Sequence, residues 1–218
     1  MKIPALFAFV LALFLPSLKA DIVLGNLAAY TNSNGTASII SGTATGKAVG
    51  FTMGNSSYEI TSVVLRLIDV GNDLSTDLPQ IAIWTSNGNT PVALVGSTFT
   101  NPVSYTPGSA ANYTFTPAAT LTLDANQSYF LVVRGNNAAA TFSWLNGSPT
   151  VSPSGIAGLA IGRFGNTTAV TNWSSASSNF NWFEINGTAS AVPEPSTYAL
   201  AAGLGAAGLA AWRRRRNR

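Results

Sequence analysis

Residues 58–68 read YEITSVVLRLI, and no other stretch shows the fold class so directly. Val63, Leu65 and Leu67 are spaced two residues apart, so these three side chains lie on one face of an extended chain. The residues between them, Arg66 included, share the opposite face. The pattern predicts a β-strand whose apolar face packs inward.

A second stretch, YFLVV at 129–133, is apolar on both faces, which is typical of a central strand covered from both sides. Segments rich in β-branched or aromatic residues recur along the body and are separated by clusters of Gly, Asn and Ser. None of them shows a sustained period of 3.6 residues. They predict an all-β fold, an antiparallel β-sandwich or jelly roll, with further strands at 48–53, 80–84, 93–99, 113–115, 128–134, 141–145, 159–164 and 181–185.

The composition fits one exported domain. Without its terminal signals the 218-residue chain leaves roughly 170 residues, enough for a single core. Charged residues are only 9% of the chain, so Asn, Ser, Thr and Gly must build the polar surface. Between residues 21 and 192 the chain has four basic and seven acidic residues, which gives a net charge of −3. The body has no basic stripe, and we expect no nucleic-acid partner.

The chain has no Cys and no His, which excludes several kinds of chemistry at once. Disulfides, thiolate nucleophiles, imidazole bases, Ser-His-Asp triads and the usual zinc ligands are all ruled out. Since no dedicated ligand set is visible, we predict that the body folds without a metal or cofactor.

The N-terminal segment, 1–20, has the features of a secretory signal peptide. Its sequence, MKIPALFAFVLALFLPSLKA, begins with Lys2, continues with an apolar run over 5–15 and ends with the small residue Ala20. The alternative is a helix buried in the core. A Ser/Thr/Asn/Gly-rich lead-in at 21–47 follows, and it predicts loops around an edge strand near 38–40.

The C-terminal segment, 192–218, combines a turn-forming motif, an apolar run and a basic cluster. Residues 197–212 carry no charge, and as a helix they would extend about 24 Å, slightly less than a bilayer core. This predicts a single transmembrane helix, whose basic tail at 213–218 stays in the cytoplasm. The retaining cluster comprises Arg213, Arg214, Arg215, Arg216 and Arg218. The alternative is a C-terminal helix packed on the domain.

This ending resembles the PEP-CTERM sorting signal of Gram-negative bacteria. The resemblance rests on the order of the motif, the glycine-rich apolar span and the terminal Arg cluster, the motif being Val192, Pro193, Glu194, Pro195, Ser196 and Thr197. It implies recognition by an exosortase, a membrane-embedded cysteine transpeptidase that cuts near Pro-Glu-Pro. The protein would be held transiently in the inner membrane and then pass to the cell surface or extracellular matrix, where exopolysaccharide is a candidate partner.

The body resembles the choice-of-anchor R domain family. Three blocks carry this resemblance, FTMGNSSYEITSVVLRL at 51–67, IAIWTSNGNTPVALVGS at 81–97 and LTLDANQSYFLVVRG at 121–135, followed by Trp144. The predicted sandwich domain spans 48–190. The resemblance implies an extracellular β-sandwich used with interchangeable surface anchors, and it assigns no catalytic residues.

The acidic residues suggest two further hypotheses, a cation-binding site and a pair of catalytic carboxylates. Asp69, Asn72, Asp73 and Asp77 supply oxygen ligands suited to Ca²⁺, but their spacing fits no known loop motif, so a solvated loop is favoured and no metal site is predicted. Two carboxylates could hydrolyse glycosides without His or Cys. No two acidic residues can be placed across a cleft from the sequence, and we expect no enzyme.

Tryptophans are the remaining candidates for a binding site. Trp144 and Trp173 are the predicted stacking residues of a platform for sugar rings, as in carbohydrate-binding sandwiches. The other aromatic candidates for this platform are Trp84, Trp182, Tyr30, Tyr58 and Tyr113. Core packing or surface decoration is the alternative for these side chains. The sequence therefore favours a non-enzymatic exported protein with a structural or adhesive role. A carbohydrate-binding module is the second hypothesis, and a glycoside-active enzyme is the third.

Overall fold

The structure is a computed structural model, and it describes residues 20–31, 34–43, 45–70, 78–88, 90–148, 150–167, 173–174, 179–190, 203 and 212–216. In this part of the chain the strands are β1 (Asp21–Gly25), β2 (Asn34–Ser41), β3 (Gly46–Thr52), β4 (Tyr58–Ile68), β5 (Pro79–Asn87), β6 (Thr90–Leu94), β7 (Phe99–Thr100), β8 (Ala111–Pro117), β9 (Thr122–Leu123), β10 (Ser128–Gly135), β11 (Thr141–Gly147), β12 (Gly158–Thr167), β13 (Trp173–Ser174) and β14 (Phe183–Ala189).

The strands form two antiparallel sheets. The first follows the order β1-β14-β4-β11-β2, with β8 and β9 also paired to β4 and β7 paired to β8. The second follows the order β13-β12-β3-β10-β5-β6. One cluster of buried side chains includes Leu65 and Phe183 from the first sheet and Phe51 and Leu131 from the second, so the sheets share a core. The predicted antiparallel all-β class is confirmed.

Strand β4 has the predicted bounds and the predicted inward face. Val63, Leu65 and Leu67 are fully buried, whereas Val64 and Arg66 between them are partly exposed. β4 pairs along one side with β14 and then β11, and along the other with β8 and β9. A half-buried alternating strand thus lies at the centre of the first sheet.

Strand β10 is central in the second sheet, as the run of apolar residues predicted. It pairs with β3 on one side and β5 on the other. Leu131 and Val133 point into the shared core, while Phe130 and Val132 on the opposite face are each 2% exposed and form a second, small cluster with Ala48.

The lead-in at 21–47 contributes two strands, which corrects the prediction that the sandwich begins at residue 48. β1 pairs with β14, and its other edge bonds to a loop segment: Gly25 N–H donates to the Ser154 carbonyl at 2.9 Å, and Ala157 N–H donates to the Val23 carbonyl at 2.8 Å. The predicted edge strand near 38–40 is confirmed as part of β2, the last strand of its sheet.

The predicted strand at 93–99 is wrong, because a turn divides it. β6 ends at Leu94, Gly96 has a φ of +66°, and β7 begins at Phe99. A positive φ interrupts the extended chain and suits glycine, which has no Cβ. The apolar residues on either side therefore belong to strands of different sheets.

The two predicted helices fall largely outside the described residues. The signal segment is described only at Ala20, and the predicted span at 197–212 only at Gly203 and Trp212. No helix among the described residues is long and apolar enough to cross a membrane.

Both ends of the body lie at the same end of the first sheet, which we call the terminal pole. β1 begins with Asp21 opposite Gly187, and β14 ends with Ala189 opposite Tyr58. The Tyr58 hydroxyl donates to Asp21 Oδ2 at 3.5 Å. The chain therefore enters and leaves the fold side by side.

Candidate functional site

The candidate site with the most direct bearing on function is the terminal pole, where the body joins the predicted sorting signal. Ser190 is the last described residue of the body, and its N–H donates to the Ser57 carbonyl at 2.9 Å. Ala189 and Ser190 are both exposed. The sheet thus ends at Ala189, three residues before Val192, the first residue of the predicted motif.

The pole is stiffened by contacts among its loops. The Ala125 N–H donates to Ser57 Oγ at 3.1 Å, and the Asp124 N–H donates to the Tyr129 hydroxyl at 3.0 Å. Asn126 adopts a φ of +60° and donates its N–H to the Gly54 carbonyl. The chain consequently leaves the body beside loops that are held in place by hydrogen bonds.

Burial and a nearby carboxylate act together on one phenol at this pole. Burial raises the pKa of the Tyr58 hydroxyl, and the charge and hydrogen bond of Asp21 raise it further. A neutral phenol can donate to the carboxylate, so the contact is kept at physiological pH and connects the first residue of β1 to the strand beside the chain exit.

The predicted sorting residues themselves lie mostly outside the described part of the chain. The motif at 192–197 and Arg218 are outside it. Residues 212–216 are helical and exposed, and the Arg216 guanidinium carbon lies 5.5 Å from the centre of the Trp212 ring. Arg213, Arg214 and Arg215 belong to the same exposed turn.

The structure contradicts a sugar-stacking role for Trp144. Its side chain is 0% exposed, and its Nε1–H donates to the Trp182 carbonyl at 2.9 Å. Asn181 Nδ2 donates to the Trp144 carbonyl at 2.5 Å. Trp144 lies opposite Leu67 of β4, on the inward face, so no ring face is open to a ligand.

Trp173 has a different environment, on the outer face of the second sheet. It is partly exposed and packs with Trp84 against the small cluster of Ala48, Phe130 and Val132. One of its ring carbons would lie 3.7 Å from a Cβ added at Gly46.

Trp84, for which the sequence favoured core packing over sugar stacking, also lies on this outer face. The Arg134 guanidinium carbon lies 5.7 Å from the centre of the Trp84 ring, and Arg134 Nε–H donates to Gln80 Oε1 at 2.5 Å. Burial lowers the pKa of Arg134. The alternation of 80, 82 and 84 could have indicated a shared face, but only the register with β10 brings Arg134 beside it.

The predicted loop of oxygen ligands is described only in part. Asp69 has a φ of +62°, and Asn72, Asp73 and Asp77 lie outside the described residues. Among the residues that the structure describes, no three acidic side chains come close enough together to hold a metal ion.

A shallow cavity of about 220 Å³ opens beside β1. Its described lining includes Ile22, Asn26, Val151 and Ser154, and its one carboxylate is Glu184. Hydrolysis of a glycoside by the usual scheme needs two carboxyl groups across the cleft. The described lining supplies one, and the expectation that the chain is not an enzyme stays a prediction.

Comparison with known families identifies the C-terminal segment. Residues 191–216 match the PEP-CTERM protein-sorting motif. The motif implies an exported protein that an exosortase sorts and that is displayed at the cell surface after passing the membrane. No curated protein and no solved structure matches the chain. The resemblance of the body to choice-of-anchor R domains stays a prediction.

Proposed function

We propose that the chain is a surface or matrix protein whose β-sheet body has a structural or adhesive role, and that an exosortase frees it from a transient membrane anchor. The observation that carries this proposal is the sorting motif at 191–216, which begins immediately after Ser190. The motif specifies where the body is delivered, so the body's role is to be sought outside the cell.

The geometry of the body supports this role. The chain enters and leaves at the terminal pole, so the opposite end of both sheets points away from the anchor. Few charges and many Asn, Ser and Thr side chains give a surface suited to contact with hydrated polymers, and exopolysaccharide is the proposed partner. These features favour a scaffold or adhesin over a catalyst.

The test is intact-mass analysis of the protein in the native host. Mature protein from the surface fraction is expected to lack Trp212 and the Arg cluster, with its new C-terminus near Pro193–Pro195. Glu194→Ala should leave the body folded and should leave uncut protein in the membrane fraction, because Glu194 serves only as a recognition residue. Gln80→Ala, in the body, is the control and should be cut normally. Surface protein that retains the whole Arg cluster would contradict the proposal.

The second candidate function is glycan binding by the outer face of the second sheet. Trp173 is partly exposed there and packs against the same small cluster as Trp84, whose ring lies 5.7 Å from the Arg134 guanidinium carbon. Aromatic rings and an adjacent hydrogen-bond donor are the usual elements of a sugar site. Trp173→Ala should abolish binding to the host's exopolysaccharide in a pull-down, whereas Val92→Ala, at an exposed position on edge strand β6, should not. Equal binding by both variants would exclude this site.

A further inference from the structure

The last residues of β14 are held more weakly than the rest of the strand. Between Phe183 and Gly187 the strand pairs with β4 on one side and with β1 on the other. In the described part of the chain β1 begins opposite Gly187, so Thr188 and Ala189 pair with β4 alone. Ala189 and Ser190 are exposed and bury little apolar surface. Such a strand end opens locally at a small fraction of the cost of global unfolding.

The same residues adjoin the segment that an exosortase must bind. The matched motif begins at residue 191, so no spacer separates it from Ser190. Enzymes that act on peptide chains commonly hold them extended, through backbone hydrogen bonds like those of an added strand. The backbone of Ser190 already donates to Ser57, and Ala189 lies opposite Tyr58. The sheet and the enzyme therefore compete for one stretch of backbone.

The predicted membrane span limits how far the folded body can lie from the exosortase. The apolar run starts at Thr197, the last residue of the motif, so a membrane span there would place the motif at the membrane surface. The seven Cα–Cα steps from Ser190 to Thr197 span at most about 25 Å when the chain is fully extended. A folded body of ordinary domain size on this short tether sits against the mouth of a membrane-embedded enzyme. Releasing three residues from the end of β14 would lengthen the tether by about 10 Å.

We propose that the exosortase recognises an extended segment that includes Thr188–Ser190, and that these residues leave β4 before the chain is cut. The proposal rests on the proposed exosortase processing. The terminal part of β14 is then both the end of the fold and the upstream part of the enzyme's binding segment, and its release sets the rate at which the folded protein is processed.

A disulfide across the end of the strand tests this in the native host. Thr188 lies opposite Glu59, and both side chains are at least partly exposed. Partner residues of antiparallel strands have Cα atoms about 5 Å apart, within the range that a disulfide spans. The chain has no Cys, so Thr188→Cys with Glu59→Cys creates one defined bond. The control bond, Asn186→Cys with Ser62→Cys, locks the strand two residues upstream and leaves 188–190 free to open.

The readout is the fraction of cut protein in a pulse-chase experiment, with disulfide formation checked by thiol labelling. Cutting is expected to be lost in the terminal lock and kept in the upstream lock. A flexible Gly-Ser insert of about twelve residues between Ser190 and Ala191 should restore cutting in the terminal lock, because the enzyme can then bind the insert.

The outcomes separate this proposal from the one it rests on. Normal cutting of the terminally locked protein would overturn the release of β14 while leaving exosortase processing intact. No cutting of the wild-type chain would instead refute the processing itself. Failure of the insert to restore cutting would also overturn the proposal, since the lock would then act by distorting the body.

Discussion

Asn26→Ala should destabilise the body far more than the lost volume suggests, because this one amide connects three backbone segments. The Asn26 side chain is only 4% exposed. Its Nδ2 donates to the carbonyls of Val151 at 3.0 Å and Asn181 at 3.1 Å, and its Oδ1 accepts from the N–H of Phe183 at 3.0 Å. The contacts connect the end of β1 to the segment at 150–154 and to the start of β14.

The magnitude follows from the three hydrogen bonds. A typical intramolecular hydrogen bond contributes about 1 kcal/mol, and leaving a buried N–H unsatisfied costs about 1–3 kcal/mol. The alanine variant leaves the Phe183 N–H and two carbonyls without this partner. We expect the free energy of unfolding to fall by about 3 kcal/mol, which for a body of this size lowers the melting temperature by roughly 6–12 °C.

Urea unfolding of residues 20–190, followed by tryptophan fluorescence, measures the effect. Asn112→Ala is the matched control, because Asn112 is exposed and its Oδ1 accepts only an exposed hydrogen bond from Arg66. The control should stay within about 0.5 kcal/mol of the wild type. Asn26→Asp keeps the acceptor but turns an oxygen toward two carbonyls, so it should be at least as unstable as the alanine variant at pH 7. An Asn26→Ala body as stable as the control would refute the reasoning.

Three further predictions concern stability. Trp144→Phe should cost about 2–3 kcal/mol in thermal melts, because it removes a buried hydrogen bond and part of a fully buried ring. Gly155→Ala should cost about 2 kcal/mol, since its Cβ would lie 2.4 Å from the Val23 carbonyl oxygen, whereas Gly158→Ala, with no atom within 4 Å, should be nearly neutral in the same melts. Burial lowers the pKa of Lys47 from its ordinary 10.5 to about 8, so above pH 8 the unfolded chain binds more protons than the folded one and the free energy of unfolding should rise, by about 2 kcal/mol up to pH 9.5. Lys47→Met should remove this rise in urea melts, and an unchanged slope would contradict the assignment.

The central strands could be predicted because their signal is local. Alternation within 58–68 fixes which side chains of β4 point inward, and the doubly apolar run at 129–133 marks β10 as central, whatever the partners are. The role of β1 could not be predicted in this way. Its five residues form backbone hydrogen bonds with β14 and with the 154–157 segment. A local sequence pattern cannot predict pairing with a segment at the far end of the chain.

The tryptophans show that local sequence patterns are equally unable to predict which side chains form a binding site. Trp144 and Trp84 each lie in an extended segment whose alternate residues share a face, so their sequences predict a shared face but not which face meets the other sheet. Only register decides it: Trp144 lies opposite the buried Leu67, while Trp84 lies opposite Phe130 on the outer face. The sorting motif was predictable because its pattern lies within one contiguous stretch of sequence and needs no partner strand to be identified.

The pairing of β1 with β14 has a consequence for the order of events during export. In export directed by the predicted N-terminal signal, β1 would cross the membrane before β14, its partner near the other end of the chain, and could not pair until β14 had also been translocated. Such a high contact order makes closure of the first sheet slow and leaves β4 without one of its neighbours meanwhile. The predicted membrane span at 197–212 would then hold the nascent protein at the bilayer during this interval. Chaperones outside the cytoplasm would bind an incomplete sheet with an open edge before the domain has folded.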